Sequence, residues 1–179
     1  MTIRTIVQAA LLATITAVLA QIAIPLPGGV PFTLQVFGVF LGIFLLGKKA
    51  FWGMLTYLLL GAIGLPVFAQ AQGGIGIILG PTGGYIAGFV ISGLVGGYIV
   101  ELAKFSLKGK ILGLLVSLVI IYFTGTVQLA FTTKSSIGEA LAVGTLPFIP
   151  LDILKGVIAI VLSKYIDRAL PRAGVNING

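Results

Sequence analysis

Histidine and cysteine are absent from the 179 residues. Without them, zinc hydrolases, Ser–His and Cys–His nucleophiles, haem sites with His or Cys ligands, thiolate iron–sulfur sites and disulfide frameworks lack their parts. Acidic residues are nearly as scarce, four Asp and Glu against eleven Lys and Arg, and the charged fraction is 8%. A soluble domain carries roughly 25%. So few charges cannot cover a water-soluble globule of this length. That excludes a soluble enzyme, a DNA-binding domain and a disordered chain. The net charge of +7 suggests nucleic acid only in a soluble protein. In a membrane protein the same excess reports topology.

What is present is apolar: 58% hydrophobic residues, with a mean hydropathy of +1.19. Glycine, at 26 residues, is about twice its usual share of roughly 7%. In membrane proteins it marks close helix contacts and non-helical backbone. Charged and Pro/Gly-rich punctuation cuts the chain into six apolar segments, 6–24, 33–47, 51–64, 83–102, 111–131 and 148–166. They predict an all-α integral membrane protein, a single domain of six transmembrane helices. Ala-Val-Leu-Ala at 17–20 has the small residues of a signal-peptide cut, but the apolar run continues past it, which favours a span.

With six spans, Arg4, Lys48, Lys49, Lys104, Lys108, Lys110, Lys164, Arg168 and Arg172 fall on one side. Lys134 alone falls on the other, and Lys155 lies inside the last span. The positive-inside rule then places both termini in the cytoplasm.

The outward connections are uncharged. Pro25 to Thr33 and Leu65 to Gly84 are rich in Gly and Pro. Irregular apolar backbone is tolerated at membrane depth where it is buried or lines a cavity. Both segments are expected to fold over the bundle mouth as extracellular lids. Asp152 and Lys155 sit three apart at the start of the last span, on one helix face and on the lid side. Ionisable residues within a span mark function by default, so this pair is the primary candidate for a polar ligand site. Gln35 and Tyr122 are lone polar residues in apolar spans, for which a local hydrogen bond and a cavity role both stay open. Gly80, Gly84, Gly88, Ser92 and Gly96 recur every fourth residue, as do Ala9, Ala13 and Ala17. Such rows let helices approach closely. The glycine row reads as internal packing; the alanine row suits either internal packing or a partner helix. Gly-Pro-Thr-Gly-Gly at 80–84 lacks the following Lys of a phosphate loop and reads as a turn into the fourth span.

Four motifs carry a resemblance across essentially the whole chain. They are Ile-Pro-Leu-Pro-Gly-Gly-Val-Pro-Phe-Thr-Leu-Gln at 24–35, Gly-Ala-Ile-Gly-Leu-Pro-Val-Phe at 61–68, Leu-Gly-Pro-Thr-Gly-Gly-Tyr at 79–85 and Pro-Leu-Asp-Ile-Leu-Lys-Gly at 150–156. The sequence resembles the BioY family, the biotin-binding S components of energy-coupling factor (ECF) vitamin transporters. The resemblance implies biotin as ligand, no cofactor, no metal and no enzymatic activity. It implies a transmembrane coupling subunit and two ABC-type ATPases as partners, in a prokaryotic cell membrane. It implies that Asp152 and Lys155 bind the ligand and that Ala9, Ala13 and Ala17 contact the coupling subunit. Gln72 stands where some relatives place an Asn; Gln35, Phe68 and Tyr85 complete the expected site. An S component for another vitamin and a stand-alone facilitator are the alternatives. A membrane enzyme is disfavoured by the missing His and Cys.

Overall fold

The computed structural model describes residues 2–26 and 29–169. Arg172, one of the nine basics used for topology, and Pro27 and Gly28 of the first motif lie outside the described residues. Helix α1 (Ile3–Ala20) starts on Thr2, whose side chain accepts the Thr5 N–H. A short antiparallel ribbon, β1 (Ala23–Ile24) with β2 (Phe32–Thr33), follows. Then come α2 (Gln35–Leu46), α3 (Ala50–Ala62), a five-residue α4 (Ile75–Leu79), α5 (Gly83–Leu102), α6 (Leu107–Thr133), α7 (Ile137–Gly144) and α8 (Ile149–Ala169).

Four helical stretches are long and apolar enough to cross a membrane, or five if the bent pair α7 and α8 is one span. Residues 35–62 count there as one stretch, but the chain reverses inside it. Gln35 hydrogen-bonds the Tyr57 hydroxyl. In a straight helix those two residues would stand about 33 Å apart. The reversal falls at Gly47, whose φ of +58° breaks the helix. So α2 and α3 form a hairpin, close to the expected boundaries, with Lys48 and Lys49 at its turn.

Polarity is inverted relative to a soluble protein. Thr16, Ser92, Lys110, Ser117, Asp152, Lys155 and Ser163 are buried, while Val119, Phe123, Phe131, Leu154 and Ile158 are exposed. An apolar belt of this extent is a liability in water and the natural surface in lipid. This is a multi-pass membrane protein.

Close helix contacts come from the small residues. At Gly84 and Gly88 an added Cβ would run into the α6 backbone at Thr124 and Ile121. Ser92 donates its hydroxyl to the Ser117 carbonyl at 3.3 Å. The Gly84–Gly96 part of the row is therefore the α5–α6 seam, an internal contact. On the other side, Leu12 of α1 fills the space left by Gly42 of α2 and Gly53 of α3.

Two ion pairs tie one end of the bundle together. Lys48 meets Glu101 at 3.1 Å, and buried Lys110 meets Asp167 at 3.2 Å. The α2–α3 turn, the α5–α6 turn and the end of α8 thus share a face. The opposite end carries the β-ribbon, the loop at 63–82 and α7. The expected mixed loop at 132–147 contains α7, closed by a capping box between Ser136 and Glu139.

Candidate ligand-binding site

The site grows from the first turns of α8. Pro150 is tolerated there because the first N–H groups of a helix have no internal partner. One turn later, Asp152 and Lys155 point to the same side, 3% and 6% exposed. The Lys155 ammonium donates to Asp152 Oδ1 at 2.6 Å and to the Thr33 carbonyl at 2.7 Å. It also lies 3.9 Å above the Phe32 ring centroid, a cation–π contact. Tyr122, from the middle of α6, donates its hydroxyl to Asp152 Oδ2 at 2.8 Å. Each carboxylate oxygen thus holds one protein donor and keeps a lone pair for a ligand.

A cavity of about 220 Å³ opens above this pair. Its walls come from loop 29–33, loop 68–82, the start of α5, the middle of α6 and the start of α8. Val30, Val36, Ile86, Phe89, Ile121 and Phe148 make most of it apolar, and Asp152, Lys155, Tyr122, Thr33 and Gln35 supply the polar corner. A mainly apolar cavity with a few converging polar groups is the usual form of a small-molecule site.

All six residues expected at the site line this cavity: Asp152, Lys155, Gln72, Gln35, Phe68 and Tyr85. They are held by different means. Gln35 accepts the Thr33 hydroxyl through Oε1 at 2.9 Å. Phe68 packs edge-on against Tyr57, with centroids 5.4 Å apart. Tyr85 donates to the Gly144 carbonyl at 2.8 Å. Gln72 lies exposed at the cavity mouth, its carbonyl accepting the Phe68 N–H at 2.9 Å. Pro81 and Thr82 of the Gly-Pro-Thr-Gly-Gly turn also face the cavity.

Three residues that serve the site escaped the sequence reading. Tyr57 donates to the Val67 carbonyl at 3.0 Å. Gln128 donates to the Ile78 and Gly80 carbonyls at 2.6 and 2.8 Å. Gln21 accepts the Ala71 N–H at 2.9 Å and donates to the Phe68 carbonyl at 3.2 Å. Lone amides in apolar runs were the available signal for the two glutamines. Tyr57 had none, because tyrosine is ordinary in a membrane span.

The alanine row needs a correction. Ala9 and Ala13 are 4% and 2% exposed, packed inside this chain's own fold. Ala17 is half-buried. Ala9 and Ala13 belong to the inward face that carries Leu12 and Thr16, so they offer a partner no surface.

Fold and site together define a class: a helical membrane protein that encloses a small amphipathic ligand at one end of its bundle. The model of the BioY family matches residues 1–172. The chain belongs to that family. It is 43% identical over 168 residues to a biotin transporter BioY of Thermotoga maritima, covering 92% of this chain and 96% of the relative. It is 35% identical to the biotin transporter BioY2 of Lactococcus lactis, over 90% of this chain and 88% of the relative. Its fold matches a 2.1 Å crystal structure of the S-component for biotin from an ECF-type ABC transporter. The TM-score is 0.84 at 27% identity, over 94% of this chain and 95% of that one.

Proposed function

We propose that this chain captures biotin in the cavity and serves as the S component of an ECF-type importer. The observation that carries the reading is the Asp152–Lys155 pair at the floor of a mostly apolar cavity. Biotin has an apolar bicyclic body, a ureido group with N–H donors and a carbonyl acceptor, and a carboxylate tail. The free lone pairs of Asp152 suit ureido N–H donors. Lys155 suits the ureido oxygen or a carboxylate, and Gln35 and Gln72 add amide contacts. Phe68, Tyr85 and Phe32 suit the ring body. None of these side chains is a nucleophile–base pair, and ATP hydrolysis belongs to partner ATPases acting through a coupling subunit.

The membrane arrangement that goes with this function has six crossings and both termini in the cytoplasm of a prokaryotic cell. The α2–α3 hairpin supports two separate segments where length alone counts one. Lys48, Lys104, Lys108 and Lys164 support the inside assignment. In this arrangement the cavity opens outward, between the two Gly/Pro-rich loops.

The test is calorimetry on detergent-purified protein, with mass spectrometry of any co-purified small molecule. Biotin is expected to bind one to one, without competition from thiamine or riboflavin. Asp152→Asn and Lys155→Ala should each weaken binding at least tenfold, about 1.4 kcal/mol. Absence of biotin binding, or native affinity in both variants, would overturn the proposal.

A further inference from the structure

Tyr57 is fully buried and lies outside the cavity lining. Its hydroxyl nevertheless stands between the two loops that cover the cavity. It accepts a hydrogen bond from Gln35 Nε2 and donates to the Val67 carbonyl of the second loop. Gln35 Oε1 accepts the Thr33 hydroxyl of the first loop. The Thr33 carbonyl accepts Lys155, which holds Asp152, which holds Tyr122. One unbroken chain of hydrogen bonds thus runs from α6 through the ion pair and the first loop to the second loop. Every donor in it has its acceptor. Buried chains of this kind polarise one another and act as a unit.

We propose that Tyr57 is a positioning residue that makes the two loops close over the cavity as one body. Its ring sets Phe68 through an edge contact. Its hydroxyl transmits the position of Thr33 to Val67. A ligand that engages Lys155 or Asp152 at the floor therefore fixes both loops, including the one it reaches last. Without the hydroxyl, each loop opens on its own.

The full chain offers a clean readout, because it has no cysteine. Val30 is a buried residue of the first loop. In Val30→Cys the single thiol reacts with a maleimide only when that loop opens. Tyr57→Phe keeps the ring and removes the hydroxyl. Although Tyr57 hydrogen-bonds only α2 and the second loop, Tyr57→Phe should speed the reaction of Val30→Cys in ligand-free protein about threefold to tenfold, the range of one buried hydrogen bond. Gln35→Leu should do the same, and combining it with Tyr57→Phe should add nothing further. Ser117→Cys, buried in α6 away from the loops, should react at an unchanged rate. An unchanged Val30→Cys rate overturns the proposal. So does an equal rise at Ser117→Cys, which would mean general loosening. If Tyr57→Phe does not fold, Gln35→Leu alone decides by the same rates. Biotin dissociation, which rests on the function proposed above, should accelerate by a similar factor. Native protein that binds no biotin would sink that function and leave the ligand-free thiol rates to decide this one.

Discussion

Asp152 and Lys155 are both buried, and each is kept charged by the other. Burying two charges is repaid only by good geometry and further hydrogen bonds. Here Tyr122, the Thr33 carbonyl and the Phe32 face supply them. Removing one member strands the other, at a cost of about 3–5 kcal/mol. Replacing both by apolar residues of similar size is often neutral or stabilising. Asp152→Leu and Lys155→Met should therefore each lower the melting temperature in detergent. The double variant should melt near the native protein, and none of the three should bind biotin. Single variants that melt like the native chain would show that the pair contributes little to the fold. The pair was legible in the sequence because charges are so rare inside the spans. Its supporting partners were not. Tyr122 stood out only as a lone polar residue, and Thr33 acts through its backbone carbonyl, which carries no residue signature.

At the scale of elements, the second loop is fastened against α3 by an absent side chain. A Cβ on Gly61 would collide with the Phe68 ring, and the Gly61 carbonyl accepts the Gly74 N–H at 2.7 Å. Gly61→Ala should push Phe68 and its loop away from the cavity. Overpacking of this kind costs about 1–3 kcal/mol, while alanine favours the helix by roughly 0.5–1 kcal/mol. The expected outcome is biotin affinity weakened about tenfold with little change in melting temperature. Native affinity in calorimetry would mean that Phe68 can shift at no cost to the site. Helix existence was legible from the apolar runs, and 83–102 matches α5 at both ends. α6 is longer than its apolar run, because Ser106 caps it and Lys110 is buried against Ser163. α7 was missed although Ser136 and Glu139 have capping-box spacing; the polar residues around it outweighed a local signal. The inward set of Ala9 and Ala13 was misread, because a row of small residues tells how close a helix can approach, and nothing about which helix.

For the whole molecule, the distribution of charge is the main determinant of orientation. The ion pairs Lys48–Glu101 and Lys110–Asp167 gather the basic turns at one end, and Lys134 is exposed at the other. Lys134→Cys in intact cells should react with a membrane-impermeant maleimide. Lys108→Cys should react only after lysis. Equal labelling of both in intact cells would refute the six-span arrangement. Composition announced the membrane class at once, since 8% charge leaves few other options. The reversal inside residues 35–62 needed coordinates, because length and hydropathy treat those residues as one continuous stretch.

The floor of the cavity has one further property. Asp152 and Lys155 together sum to zero. The membrane field does work of about 2.3 kcal/mol per elementary charge per 100 mV, and it finds nothing in this pair to pull on. The protein can thus rearrange its site within the bilayer without moving charge of its own. Any voltage dependence of uptake then measures the passenger's ionisation and the direction in which it travels.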